Sequence, residues 1–112
     1  MTDLLKLENQ LCFPLYAAAK EVVRSYTPFL TPLGLTYTQY LVLLTLWDTH
    51  TLSVKELGDK LFLDSGTLTP VLKRLEKLGY LHRERSKEDE RILVVSLTIK
   101  GKKLKERALE IP

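Results

Sequence analysis

The sequence predicts a mostly α-helical domain with one small β-ribbon, and three observations predict it. Five segments carry apolar residues at helical spacing, and most of them begin at a residue that caps helices. Two short β-like segments, residues 80–85 and 92–97, follow the fourth helix and flank a charged turn. Only three residues separate the third helix from the fourth. This order of elements is that of a winged helix-turn-helix.

The composition is that of one small domain. The chain has 112 residues, of which 45% are hydrophobic, enough for a modest core. No apolar run approaches the roughly 20 residues that a membrane span needs, and Lys6 and Glu8 interrupt the N-terminus before a signal-like segment. The single cysteine, Cys12, cannot form an intrachain disulfide. We therefore expect a soluble cytoplasmic protein that contacts no membrane.

Basic residues are concentrated in the second part of the chain. Residues 1–70 contain five Lys or Arg and seven Asp or Glu, whereas residues 71–112 contain twelve and seven. This distribution favours a polyanionic partner such as double-stranded DNA. The two histidines and Cys12 lack metal-ligand spacing, and the sequence contains no phosphate-binding glycine loop and no candidate catalytic triad. The sequence therefore argues against an enzyme and against a metal or organic cofactor.

The first helix is predicted over residues 7–25. Asn9 can cap it, and Pro14 falls near its first turn, where a missing N–H costs little. The Thr-Pro pairs in residues 27–28 and 31–34 are predicted to end this helix and to form a turn-rich connection.

Capping boxes mark the next two helices. In such a box a Ser or Thr and a Glu or Gln three residues later satisfy each other's backbone N–H groups. The first box opens a nearly continuous apolar helix over residues 37–47, which we expect to be buried. Residues 49–52 are predicted as an extended link, and the second box opens a short helix over residues 54–61. The two boxes are Thr36 with Gln39 and Ser53 with Glu56.

The stretch of residues 63–79 has a polar first half and an amphipathic second half. Asp64 or Ser65 can cap a helix at its start, and Gly79 lies where helices end in a left-handed residue. Together with the preceding helix it predicts a helix-turn-helix, whose second helix can enter a DNA major groove with its N-terminus first. The apolar face of that helix consists of Leu68, Leu72, Leu75 and Leu78.

A ribbon directly after a helix-turn-helix is a wing. Residues 80–85 and 92–97 are predicted as its strands and the charged residues 86–91 as its tip. Thr98 can then cap a last helix over residues 99–111.

Four motifs give the chain a resemblance to a known family. It resembles the MarR family of bacterial transcription regulators and is similar to the OhrR branch, whose members sense organic hydroperoxides. The match spans nearly the whole chain, with the motifs in the family's order. The motifs are Asp89-Glu90-Arg91 followed by Ser96-Leu97-Thr98 and Gly101, then Leu11-Cys12-Phe13, Leu35-Thr36-Tyr37-x-Gln39-Tyr40, and Leu63-Asp64-Ser65-Gly66-Thr67-Leu68-Thr69-Pro70.

The resemblance implies a homodimer on a pseudo-palindromic operator, built from one winged helix domain over residues 1–112. Residues 1–35 would form the N-terminal dimerisation helix and its connection, 36–98 the winged helix-turn-helix, and 99–112 the start of a C-terminal helix. Family members continue for roughly thirty residues more. We therefore expect the last helix to be truncated here relative to the family.

The candidate DNA-binding residues combine residue chemistry with the resemblance. Small hydroxyls allow close approach to base edges and phosphates, an arginine at the wing tip suits a narrow minor groove, and further arginines suit phosphates. Helix capping and ordinary solvent exposure are the alternatives for these residues. The predicted set is Asp64, Ser65, Thr67 and Thr69 in the helix, Asp89 and Arg91 at the tip, and Arg74, Arg83 and Arg85 as phosphate contacts.

Cys12 is the candidate redox sensor. It falls in the first turn of a helix, where the helix dipole stabilises a thiolate, and Tyr16 lies one turn further on. The resemblance implies that Tyr26 and Tyr37 reach this cysteine across the dimer, and that an organic hydroperoxide oxidises it to a sulfenic acid, after which DNA is released. A low-molecular-weight thiol would then trap the sulfenate, or it would be oxidised further.

The resemblance thus favours a repressor that senses organic hydroperoxides, and three alternatives stand beside it. A regulator of the same fold can be gated by a small aromatic or anionic ligand, with Cys12 only packed as a small hydrophobe. A peroxide-consuming enzyme would need a second thiol or a cofactor motif, and the sequence offers neither. A winged helix can also serve as a protein-interaction module.

Overall fold

The computed structural model describes residues 2–111 and contains, within them, five α-helices and a three-stranded antiparallel sheet. This arrangement confirms the predicted winged helix-turn-helix. Short 3-10 turns at Thr2–Leu5, Leu7–Asn9 and Thr31–Leu33 complete the chain. The regular elements are α1 (Cys12–Leu30), α2 (Tyr37–Thr49), β1 (Thr51–Ser53), α3 (Val54–Leu61), α4 (Ser65–Lys77), β2 (Leu81–Arg85), β3 (Leu93–Leu97) and α5 (Ile99–Ala108).

The first helix differs from its prediction at both ends. It begins at Cys12, and Asn9 lies in the preceding 3-10 turn and does not cap it. It also continues through Pro28 to Leu30, although the Thr27-Pro28 pair predicts its end. Pro28 lies inside the last turn and supplies no N–H for the Arg24 carbonyl, and the helix continues past it to Leu30. The chain turns instead at Gly34, whose φ of 72° is left-handed.

The core lies around α2, as its apolar sequence predicted. Both capping boxes are formed. The Thr36 and Ser53 side chains accept from the backbone N–H groups of Gln39 and Glu56, and the Gln39 and Glu56 side chains accept from the backbone N–H groups of Thr36 and Ser53. Against α2 pack the inner faces of α3 and α4, the sheet and α5. The core side chains that are less than 2% exposed are Val42, Leu43, Leu46, Leu57, Leu68, Leu72, Leu75, Leu81 and Val95.

The sheet has one strand more than the predicted ribbon. Its order is β1-β3-β2, and Thr51 pairs with Ser96 while Leu81 pairs with Leu97. The predicted extended link over residues 49–52 is therefore partly strand β1. Both wing strands begin one residue later than predicted, and α5 ends at Ala108 instead of residue 111. The predicted cap of α5 is present, since Thr98 Oγ1 accepts from the Gly101 N–H at 3.0 Å.

The N-terminal helix extends away from this core. The radius of gyration is 17.3 Å, against about 13 Å for a compact domain of similar size. Of α1, only Leu30 is buried. In the described part of the chain no single helix has the length and apolar composition to cross a membrane. Cys12–Leu33 and Tyr37–Thr49 have that length and composition only when taken together, and they are bent by 75° relative to each other.

Candidate nucleic-acid interface and cysteine site

Helix α4, called the recognition helix from here on, presents a polar first turn. Asp64 caps it, because the Thr67 N–H donates to Asp64 Oδ1 at 2.7 Å. Hydrogen bonds from Thr67 hold the pKa of Asp64 below its ordinary value. Ser65 and Thr67 are exposed and Thr69 is half-buried. The predicted reading residues therefore project from a helix start that its buried leucines anchor to the core.

A glycine that the prediction did not single out brings the two helices of the helix-turn-helix together. A Cβ on Gly58 would lie 2.7 Å from the Leu63 carbonyl oxygen, too close for any side chain. The Leu63 N–H in turn donates to the Gly58 carbonyl at 2.9 Å. Phe62, between the helices, takes the left-handed φ of 58°. A glycine inside an otherwise amphipathic helix is the only sequence signal for this contact.

At the wing tip (residues 86–91), Arg91 is bonded to Asp89. The Arg91 Nε and Nη2 atoms donate to the two carboxylate oxygens of Asp89, each at 3.1 Å, and the Arg91 backbone N–H donates to Asp89 Oδ1 at 3.0 Å. These bonds lower the pKa of Asp89 and raise that of Arg91. The Arg91 side chain is 90% exposed. The predicted ion pair is thus present, and it presents a cation at the outer end of the wing.

Arg83, predicted as a phosphate contact, is bonded to Glu76 of the recognition helix. Its Nη2 donates to Glu76 Oε1 at 3.0 Å, its backbone N–H donates to Glu76 Oε2 at 3.0 Å, and its Nε is buried. The side chain is 19% exposed. Arg83 therefore ties β2 to the recognition helix, and its role as a phosphate contact stays a prediction. Arg74 and Arg85, the other two predicted phosphate contacts, are exposed.

Cys12 is the first residue of α1 and is exposed. Tyr16, one turn later, is also exposed, and Lys20 lies over its ring at 5.3 Å from the centroid. Among residues 2–111 no tyrosine hydroxyl donates a hydrogen bond to Cys12. The structure of one chain therefore does not bring Cys12 together with its predicted partners.

Tyr26 and Tyr37 do meet each other. Their ring centroids are 5.3 Å apart, and the Tyr26 ring also lies 6.0 Å from that of Tyr40. These three residues are called the aromatic cluster below. Burial, together with the neighbouring Tyr26 and Tyr37, raises the pKa of Tyr40. The cluster contains two of the three tyrosines that were predicted to serve the cysteine.

The surface around Cys12 is strongly apolar. The 3-10 turns and α1 expose large hydrophobic side chains along most of their length, far beyond the scattered apolar residues of an ordinary surface. A surface of this kind is typical of an interface. The exposed side chains are Leu4, Leu5, Leu7, Leu11, Phe13, Leu15, Tyr16, Val22, Val23 and Phe29.

A helix-turn-helix whose second helix starts with exposed polar residues, followed by a wing that exposes Arg91 at its tip, is typical of a DNA-binding protein, and known proteins agree. The family model described as "Transcriptional regulator SarA/Rot" matches residues 24–108. The organic hydroperoxide resistance transcriptional regulator of Bacillus subtilis is 56% identical over 110 residues, which are 98% of this chain and 75% of that protein.

Solved structures give the same result. The DNA-bound structures of overoxidised and of reduced AbfR each have a TM-score of 0.87 and 42% identity, and cover 97% of this chain and 80% and 78% of theirs. A cysteine-to-serine mutant of Escherichia coli MarR, complexed with operator DNA, has a TM-score of 0.83 and 28% identity over 90% of this chain and 72% of its own.

The chain belongs to the MarR-type family of DNA-binding transcription regulators, in the OhrR-like branch. It is a regulator and not an enzyme. Within residues 2–111 no group of three or more His, Cys, Asp or Glu side chains could hold a metal ion.

Proposed function

We propose that this protein is a homodimeric repressor that binds a pseudo-palindromic operator, senses organic hydroperoxides through Cys12 and then releases the DNA. The observation that carries the proposal is an exposed cysteine at the first residue of α1, within a large apolar surface. It stands in a chain 56% identical to a regulator named for organic hydroperoxide resistance.

Residues 36–98 are proposed as the DNA-reading part. Ser65, Thr67 and Thr69 would approach base edges and phosphates in the major groove, with Asp64 holding the helix start in shape. Arg91, oriented by Asp89, would enter the minor groove. Arg74 and Arg85 would contact phosphates, since both are exposed on or beside the recognition helix.

Residues 1–35 and 99–112 are proposed as the dimerisation part. The exposed apolar side chains of α1 need a covering surface, and a second copy of the chain supplies one with matching chemistry. In this dimer Tyr26 and Tyr37 of one protomer would stand against Cys12 of the other, with Tyr16 on its own helix beside it.

The chemistry requires only the thiolate and the oxidant. The Cys12 sulfur attacks the terminal oxygen of the hydroperoxide, so that an S–O bond forms while the O–O bond breaks. The sulfur is oxidised by two electrons to a sulfenate, and the hydroperoxide leaves as an alkoxide that takes up a proton to become the alcohol. A low-molecular-weight thiol can then displace the sulfenic oxygen as water and form a mixed disulfide.

Titration of DNA tests this proposal directly. We expect wild type to lose about 10- to 100-fold in DNA affinity after treatment with cumene hydroperoxide, and Cys12→Ser to lose none. Mass spectrometry of the same samples counts the oxygen atoms added, because AbfR also has an overoxidised form bound to DNA. If Cys12→Ser still releases DNA on oxidation, the cysteine is not the sensor.

Arg83 and Arg85 form a matched pair for the DNA interface. We expect Arg85→Ala to reduce the dependence of affinity on salt by about one counterion without changing stability. Arg83→Ala should instead lower stability, since it removes the bonds to Glu76. Equal effects of both variants on the salt dependence would contradict this assignment.

A ligand-gated regulator is the second candidate, and one cavity favours it. An open cavity of about 390 Å³ lies between α2 and α5, with the apolar Leu44 and Trp47 and the charged Asp48 and Lys105 in its lining. If a ligand in this cavity gates the regulator, an aromatic carboxylate such as benzoate should release DNA from the Cys12→Ser variant as well as from wild type. The absence of such release, together with loss of peroxide response in that variant, would remove this candidate.

A further inference from the structure

A continuous set of contacts joins the aromatic cluster to the far end of the recognition helix. The first contact is between two side chains of α2. The Tyr40 ring lies edge-on to Trp47, with 6.4 Å between centroids. Trp47 is 7% exposed and is the single tryptophan of the sequence. Aromatic rings at this separation are in contact, so a change in the position of the Tyr40 ring acts directly on Trp47.

The second contact is a hydrogen bond across the core. The Trp47 indole N–H donates to the Gly101 carbonyl oxygen at 2.9 Å, in buried surroundings. A buried hydrogen bond of this kind has no water to replace it, so the two groups move together. Gly101 itself allows no side chain, since a Cβ would lie 2.1 Å from the Tyr80 carbonyl oxygen. The first turn of α5 is thus pressed against the start of the wing.

The third set of contacts fastens that turn to the recognition helix. Thr98 Oγ1 donates to the Gly79 carbonyl at 2.6 Å while it accepts from the Gly101 N–H. Lys100 Nζ donates to the Leu78 carbonyl at 2.8 Å and lies over the Tyr80 ring at 5.1 Å. The carbonyls that follow the recognition helix are therefore held by α5.

One member of the aromatic cluster belongs to α1 itself. In the described chain, Leu30 is the buried residue of α1, and Tyr26 is half-buried and packs on the core. Leu30 and Tyr26 are thus the side chains of α1 that pack on the core, and of these two only Tyr26 belongs to the aromatic cluster.

We propose that Trp47 is a positioning residue that couples the aromatic cluster to the recognition helix through its hydrogen bond to Gly101. This inference rests on the proposed function, in which Cys12 stands against the cluster of the other protomer. When the cysteine changes, the cluster shifts, Trp47 follows, and the first turn of α5 moves the end of the recognition helix. Trp47 itself contacts no DNA.

The test compares affinity ratios in the full chain. The probe is the duplex that wild type selects from a random-sequence pool, and the ratio is its dissociation constant after modification of Cys12 divided by that before. Cys12 is modified with cumene hydroperoxide or, independently of any peroxide chemistry, with iodoacetamide. We expect a ratio of at least about 10 for wild type and below about 3 for Trp47→Phe, which keeps a ring beside Tyr40 and lacks the donor.

Two further variants test whether a loosened fold alone lowers the affinity ratio. Replacement of the single tryptophan by benzothienylalanine exchanges only the indole N–H for sulfur. This protein should show the same low ratio as Trp47→Phe, and it keeps the inference testable if Trp47→Phe folds poorly. Leu46→Val loosens the same helix without touching the indole and should keep the wild-type ratio. A low ratio for Leu46→Val would mean that general loosening of α2 accounts for the loss, and would overturn the inference.

The outcomes separate this inference from the proposed function. If peroxide lowers the affinity of wild type and of the tryptophan-modified proteins equally, the inference is wrong and the proposed function stands. If iodoacetamide but not peroxide lowers the affinity of wild type, and neither acts on the tryptophan-modified proteins, the inference stands and peroxide sensing fails. If neither reagent changes the affinity of wild type, both are wrong.

Discussion

Helices α1 and α2 are both apolar, and they have opposite fates within one chain. In α2 the buried residues are spread along the helix, from Gln39 to Trp47. In α1, which is longer, Leu30 at the last position is the buried residue within the described chain. The difference shows that an apolar helical sequence specifies a helix whose apolar face must be buried. The surface that buries it can belong to another molecule.

Leucine truncation should give the largest contrast between the two helices. Leu43→Ala in α2 is expected to lower the free energy of unfolding by about 2–5 kcal/mol, because it leaves a cavity in the core. Leu15→Ala in α1 should change it by less than about 0.5 kcal/mol at low protein concentration, while weakening self-association. Urea denaturation and sedimentation measure the two effects. A large loss for Leu15→Ala in the monomer would contradict the contrast.

Two glycines sharpen the comparison within the well-packed part. Gly58→Ala should destabilise by about 1–3 kcal/mol, since its Cβ would meet the Leu63 backbone. At Gly66 the nearest atom to a Cβ is Asp64 Oδ1 at 3.7 Å, so Gly66→Ala should stabilise by up to about 1 kcal/mol. Thermal unfolding of both variants checks the signs, and a neutral Gly58→Ala would show that the turn can relax.

The Glu76–Arg83 contact predicts a smaller effect that depends on pH. Hydrogen bonds from Arg83 hold the pKa of Glu76 below its ordinary value of 4.5. A lowered pKa in the folded protein adds stability above the unfolded value, and this stability is lost as pH falls through the folded value. We expect Glu76→Gln to cost about 1–2 kcal/mol at neutral pH and progressively less below pH 4.5. Urea titrations at roughly pH 7 and pH 3, above and below the ordinary pKa of a glutamate, measure the difference.

Lys100→Met should have the smallest effect. It removes a cation from the carbonyl end of the recognition helix but keeps an apolar stem over Tyr80. We expect a loss of about 0.3–1 kcal/mol, screened by added salt. An effect that does not change between low and high salt would show that packing on Tyr80 is the main contribution.

Local signals predicted most of the winged helix correctly. The capping boxes at Thr36 and Ser53, the Asp64 cap and the left-handed Gly79 are all present. Each of these contacts joins residues within one helical turn, so a short stretch of sequence contains the whole interaction. The bounds of α3 were predicted to the residue for this reason.

Predictions failed where the deciding partner is distant in sequence. Strand β1 has three residues and exists because β3 pairs with it. The bond between Arg83 and Glu76, seven residues apart, was likewise not predicted. The helix end predicted at the Thr27-Pro28 pair was also wrong, since α1 continues through Pro28 to Leu30.

The sequence by itself determined the order of the helices and the wing, the starts of four helices, and the polar character of the first turn of the recognition helix. Caps, periodicity and residue type are local properties. Only the tertiary structure decided that Gly58 and Gly101 stand against backbone carbonyls, that Arg83 is bound to Glu76, and that Trp47 reaches α5. Those contacts join segments whose relative position depends on packing of the whole core, and no local pattern encodes it.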